Sequence, residues 1–125
     1  MNKKVKKLWV DALTSGEYKQ TKGTLKDETG FCCLGVLCDI YTKETKNGVW
    51  REECGLMTFD IIHEATNTLL ECGEGVPPNV VVNWAGLDDD NPTVKGVGKT
   101  EQSLAEWNDG GKTFEEMAEI INKHL

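Results

Sequence analysis

Val5, Leu8, Trp9, Ala12 and Leu13 recur at spacings of three, four, seven and eight, which places them on one stripe of a helix from about residue 3 to 14 that Ser15-Gly16 closes. From Glu17 to Leu25 polar and apolar positions alternate and threonine and lysine are frequent, a pattern that predicts a short exposed strand or hairpin arm. Phe31 to Tyr41 is the most apolar stretch, with Asp39 its single charge, and predicts a buried helix. Gly35 within it costs ~1 kcal/mol against alanine, a cost consistent with another backbone packing closely there. Asn47-Gly48 marks a turn, and Val49, Trp50, Met57, Thr58, Phe59 and Ile61 predict a small antiparallel ribbon between Lys46 and Ile62. Residues 63 to 73 fit strand and helix equally well.

Pro77-Pro78 open a short helix carrying Val80, Val81, Trp84 and Ala85, with Gly86 placed to stop it. Asp88 to Gly98 reads as one long loop. Thr100 is the expected cap of a helix containing Leu104, Ala105 and Trp107, which Asn108-Asp109-Gly110-Gly111 ends. Thr113 and Glu116 form a capping box, and Phe114, Met117, Ala118, Ile121 and Leu125 make one apolar stripe along the last helix. The pattern as a whole predicts an α+β fold: a helix-rich single domain over residues 1–125 with a small antiparallel sheet, without internal repeat or linker.

Composition narrows the class. The chain has 125 residues, 38% hydrophobic and 28% charged, enough for one core without disulfides or metals. Met1 to Lys7 imitates the basic start of a signal peptide, but Asp11 interrupts the apolar stretch that should follow, and no run approaches the ~20 apolar residues a bilayer requires. These features predict a cytoplasmic protein without a membrane partner. Lysine and arginine total 14 against 21 aspartates and glutamates, a formal charge of -7, which excludes a bulk nucleic-acid coat. The charge is also uneven. Through Lys26, seven lysines face only Asp11 and Glu17, and the excess of acid lies beyond. Lys19, Lys22 and Lys26 would grip an anion if they converged; otherwise they form a solvated face.

No catalytic signature stands out. Cys32, Cys33, Cys38, Cys54 and Cys72 with His63 could supply metal ligands, but their spacing lacks the short knuckle of a structural zinc site, so five reduced, buried cysteines packed as small hydrophobes are expected, with no metal and no cofactor. A cysteine nucleophile would need His63 or His124 as base, and nothing in the spacing brings either close. Asp88, Asp89 and Asp90 lack the alternate positions of a calcium loop. Gly96-Val97-Gly98-Lys99-Thr100 ends like a phosphate loop but has threonine at position 93, where that loop needs its first glycine. Phe114 to Ile121 resembles the first helix of a helix-turn-helix, yet the sequence ends before a recognition helix, so sequence-specific DNA binding is not expected. Tyr18, Gln20, Lys22 and Lys26 form the one polar group that reads as a ligand-binding site, joining an aromatic face, an amide and two cations; an exposed strand would explain the same residues.

Leu8-Trp9-Val10-Asp11-Ala12-Leu13, Gly16-Glu17-Tyr18-Lys19-Gln20, Phe31-Cys32-Cys33-Leu34-Gly35-Val36-Leu37-Cys38-Asp39, Trp84-Ala85-Gly86-Leu87 and Asn108-Asp109-Gly110 with Thr113-Phe114 together resemble a family of small proteins of tailed bacteriophages and prophages. The resemblance spans most of the chain and carries over no catalytic residue. It implies a small accessory protein in the cytoplasm of a host cell, one that binds and inhibits or sequesters a host component, commonly of a defence system. A binder that sequesters a small nucleotide signal, and a cysteine- or nucleotide-dependent enzyme, are the competing expectations. Self-association as a homo-oligomer is open.

Overall fold

A computed structural model describes residues 1–53, 55–95 and 100–125. The fold is α+β and helix-rich, with the elements α1 (Lys3–Thr14), β1 (Lys26–Asp27), β2 (Gly30–Phe31), α2 (Cys33–Thr45), β3 (Val49–Glu53), β4 (Leu56–His63), β5 (Thr68–Gly73), α3 (Asn79–Ala85), β6 (Thr93–Lys95), β7 (Glu101–Ser103), α4 (Leu104–Asp109) and α5 (Phe114–His124). Among the described residues three small antiparallel sheets accompany the helices: β1-β2, β3-β4-β5 and β6-β7. No described helix is long and apolar enough to cross a membrane.

The core gathers on α2, which is buried from Cys33 through Cys38 and again at Ile40 and Tyr41. Asn2 caps α1 by accepting the Val5 N–H, and the stripe Val5, Trp9 and Leu13 is buried where α1 packs on α5 and α2. The Trp9 indole N–H donates to the Cys33 carbonyl at 2.8 Å, so the largest fully buried side chain leaves no unpaired donor. A Cβ at Gly35 would collide with the Leu25 carbonyl, which is the close backbone approach that its place in a buried helix implied. Phe114, Met117, Ala118 and Ile121 are buried along α5, behind the capping box of Thr113 and Glu116.

Four expectations need correction. The segment from Glu17 to Leu25 is not a strand arm: it is an irregular loop with a single parallel bridge, Gln20 to Phe31, because its amides pair with Phe31 and with residues far away in sequence. The long loop after Asp88 contains β6, which pairs with β7. Ser103, not Thr100, caps α4, in a reciprocal pair with Glu106, while Thr100 is exposed ahead of β7. Cys72 is exposed on β5, whereas Cys32, Cys33 and Cys38 are buried as expected. Residues 63 to 73 resolve into the end of β4, a turn and β5. Cys54 and the stretch Gly96 to Lys99 of the phosphate-loop string lie outside the described residues.

Candidate binding surface

The loop after α1 turns at Gly16, whose φ of 81° suits glycine, and lays its backbone along β2. The Phe31 N–H donates to the Lys19 carbonyl and the Thr21 N–H to the Phe31 carbonyl, each at 2.8 Å. Gly30 permits this, since a Cβ there would strike the Lys19 carbonyl. Asp27 shapes the adjoining turn by accepting from Thr21, Thr29 and the Gly30 N–H, and these hydrogen bonds hold its carboxyl down at about 2. Tyr18 is thereby delivered onto α2, and Lys26 onto β1 beside Phe31.

Tyr18 donates its hydroxyl proton to Asp39 Oδ2 at 2.6 Å and accepts from Lys43 Nζ at 2.9 Å. Asp39 and Lys43 stand four residues apart on one helix face and approach to 3.4 Å, and the Trp50 indole N–H donates to the other Asp39 oxygen at 3.3 Å. Burial, reinforced by the bond to Asp39, raises the Tyr18 hydroxyl above its ordinary value, and the bond to Tyr18 raises Lys43, so at neutral pH the phenol is a donor and the amine a cation. Around this centre the rings of Tyr18 and Phe31 meet edge to face at 5.1 Å, Phe31 and Trp50 at 5.8 Å, and Trp50 and Phe59 at 4.9 Å. Lys26 Nζ lies over Phe31 at 4.9 Å and over Trp50 at 5.3 Å, with no carboxylate in ion-pair contact among the described residues. The result is a half-buried aromatic platform with one cation paired to Asp39 and one without an ion-pair partner among the described residues.

The four residues marked in the sequence divide. Tyr18 and Lys26 both contact Phe31 and belong to the platform. Gln20 turns the other way, donating to Asn108 Oδ1 at 2.8 Å and to the Lys112 carbonyl at 2.7 Å. It is a structural tether: Asn108 is fully buried, also accepts the Cys33 N–H and donates to the Thr21 carbonyl, and neighbouring Asp109 accepts the Gly23 N–H. Lys22 is exposed, as is Lys19, and neither side chain joins a hydrogen bond or ion pair among the described residues. Asp39, Lys43, Phe31 and Trp50 are the members that pattern reading missed; Asp39 was visible as the sole charge of its apolar stretch, with Lys43 one helical turn on.

The described cysteines offer little nucleophilic chemistry. Burial pushes the Cys32 thiol up to about 11 and those of Cys33 and Cys38 well above the ordinary value, and burial also raises Cys72. Cys32 acts instead as the cap of α2, accepting the Gly35 N–H, and the Cys33 thiol points at the Leu104 carbonyl. Among the described residues no three His, Cys, Asp or Glu side chains gather as a metal ion requires.

The architecture and the platform together define a small α+β domain with a cationic aromatic surface. The chain belongs to the family described as "Domain of unknown function (DUF8296)", whose model matches residues 1–125. No curated protein and no solved structure matches it.

Proposed function

We propose that this is a non-enzymatic binding protein whose platform of Tyr18, Lys26, Phe31, Lys43 and Trp50 captures an acidic patch on a partner protein. The observation that carries the reading is Lys26: an ammonium held over two aromatic rings and, among the described residues, not in ion-pair contact with a carboxylate, on a chain whose net charge is -7. A partner carboxylate reaching Lys26 forms its ion pair beside apolar rings that exclude water, where a charge pair is stronger than on an open surface. Burial raises the thiols of Cys32, Cys33 and Cys38, which weighs against a cysteine enzyme built on any of these three. A nucleotide signal is the weaker alternative, because Lys26 already covers the ring faces on which a base would stack. The resemblance to phage accessory proteins supports a bacterial host component as the partner, one of a defence system, met in the host cytoplasm and inhibited or sequestered by stoichiometric capture.

The test is affinity capture from bacterial lysate with wild-type protein and a Lys26→Glu, Trp50→Ala variant, with mass spectrometry of captured protein and of released small molecules. An acidic protein held stoichiometrically by the wild type and lost by the variant is expected. A released nucleotide would favour the alternative, and a partner held equally by both proteins would remove the platform from the function.

A further inference from the structure

The sheet β3-β4-β5 ends on β5, which has β4 on one side and, among the described residues, no strand on the other. Its second half is covered: the Glu71 carboxylate accepts the Asn79 N–H at 2.7 Å, and Gly73 packs against Val76 and Pro78. Its first half is open. Leu69 and Leu70 are 52% and 59% exposed, and only Leu56 among the other described large hydrophobic residues is comparably exposed. The register shifts between Ile61 and Ile62, opposite this part of β5. A strand edge left with unpaired backbone groups and exposed leucines is a template for another extended chain.

Charge indicates which chain. Arg51 reaches Asn67 ahead of β5 but also pairs with Asp60; from Glu52 to Val94 the sequence has no lysine or arginine, and its acids include Glu64 before β5, Glu71 within it and Glu74 after it. An antiparallel pairing with a second copy, centred on Leu69 and Leu70, would bring Glu64 of one copy toward Glu74 of the other at both ends, a like-charge arrangement that opposes self-pairing. A segment with lysine or arginine alternating with aliphatic residues meets the same carboxylates with opposite charge. We infer that the free edge of β5, from Thr68 to Leu70, receives an extended cationic segment of another protein by strand addition, at a site distinct from the platform of Lys26.

The test uses a peptide of about eight residues alternating lysine and valine, its glutamate–valine counterpart, and full-length protein as wild type, Leu70→Pro and Leu69→Ser with Leu70→Ser. The lysine peptide should bind the wild type with one saturating equivalent, weaken with added salt and slow amide exchange at Thr68 to Leu70. The glutamate peptide should not bind. Both variants should lose about tenfold or more in affinity, the serine pair at an unchanged melting temperature, and Lys26→Met should bind as the wild type does. Binding unaffected by the variants, or without protection of β5, would mean mere attraction to an acidic surface and overturn the inference. A wild-type dimer in sedimentation that the serine pair abolishes would overturn it in favour of a second copy.

Discussion

At the scale of single residues, hydrogen bonds to charged groups set most of the platform's geometry. Tyr18 carries the heaviest duty, since its hydroxyl bridges Asp39 and Lys43 and so ties the loop after α1 to α2. Tyr18→Phe keeps the ring against Phe31 and removes only that bridge, so a loss of about 1–2 kcal/mol is expected from urea denaturation. An unchanged midpoint would mean that Trp50 and Lys43 alone suffice for Asp39. Asp27 gives a pH signature. Its folded carboxyl titrates at about 2 against an ordinary 3.8, so its contribution to stability is complete above about pH 4 and is lost as pH falls through 2. Denaturation midpoints at pH 5 and pH 2.5 should therefore converge for wild type and Asp27→Asn as the medium becomes acid. A gap that stays constant would show that the turn does not depend on the charge.

At the scale of elements, the helices were legible because their burial is periodic and their caps are local. Thr113 and Glu116 form a capping box that the sequence announces, whereas Ser103 and Glu106 make the same box where the pattern points to Thr100, because β7 runs directly into α4 without the polar spacer that usually announces a cap. The loop from Glu17 to Leu25 alternates like a strand, yet its decisive partners are Asn108 and Lys112, 88 and 92 residues away, and no local pattern encodes such pairing. The same limit hid β6 and β7, each only three residues long. Two substitutions test the element packing. Gly35→Ala would drive a methyl into the Leu25 carbonyl and should cost about 1–3 kcal/mol, although alanine is the better helix former. Met117→Ala, at a fully buried position on α5, should cost roughly 2–5 kcal/mol. A near-neutral Met117→Ala would mean that α5 is an appendage instead of a core helix.

At the scale of the whole molecule, burial sorts the cysteines more sharply than composition did. Native protein treated with a thiol reagent should label Cys72 quickly, and Cys32, Cys33 and Cys38 only in denaturant, as mapped by peptide mass spectrometry. Rapid native labelling of Cys32 or Cys33 would reopen cysteine chemistry. Only Tyr18 and Lys26 of the candidate site are legible in the sequence. Tyr18 and Lys26 were marked because an aromatic and a cation close in sequence are conspicuous, but their partners Asp39, Lys43 and Trp50 come from α2 and β3, and only folding assembles them. Gln20 shows the converse, a polar residue that looked free for ligand and instead tethers the loop to buried Asn108.

The central claim is that Lys26, held over Phe31 and Trp50, is the cation a partner seeks, and the most direct measurement is the affinity of the captured partner for Lys26→Met and Lys22→Met across salt concentrations. Both changes remove one positive charge from the same stretch of chain, so they differ only in place. The account predicts that Lys26→Met weakens binding by about tenfold or more and flattens its salt dependence, while Lys22→Met, exposed and apart from the platform, stays within about twofold of wild type. Equal affinities for the two variants would contradict it.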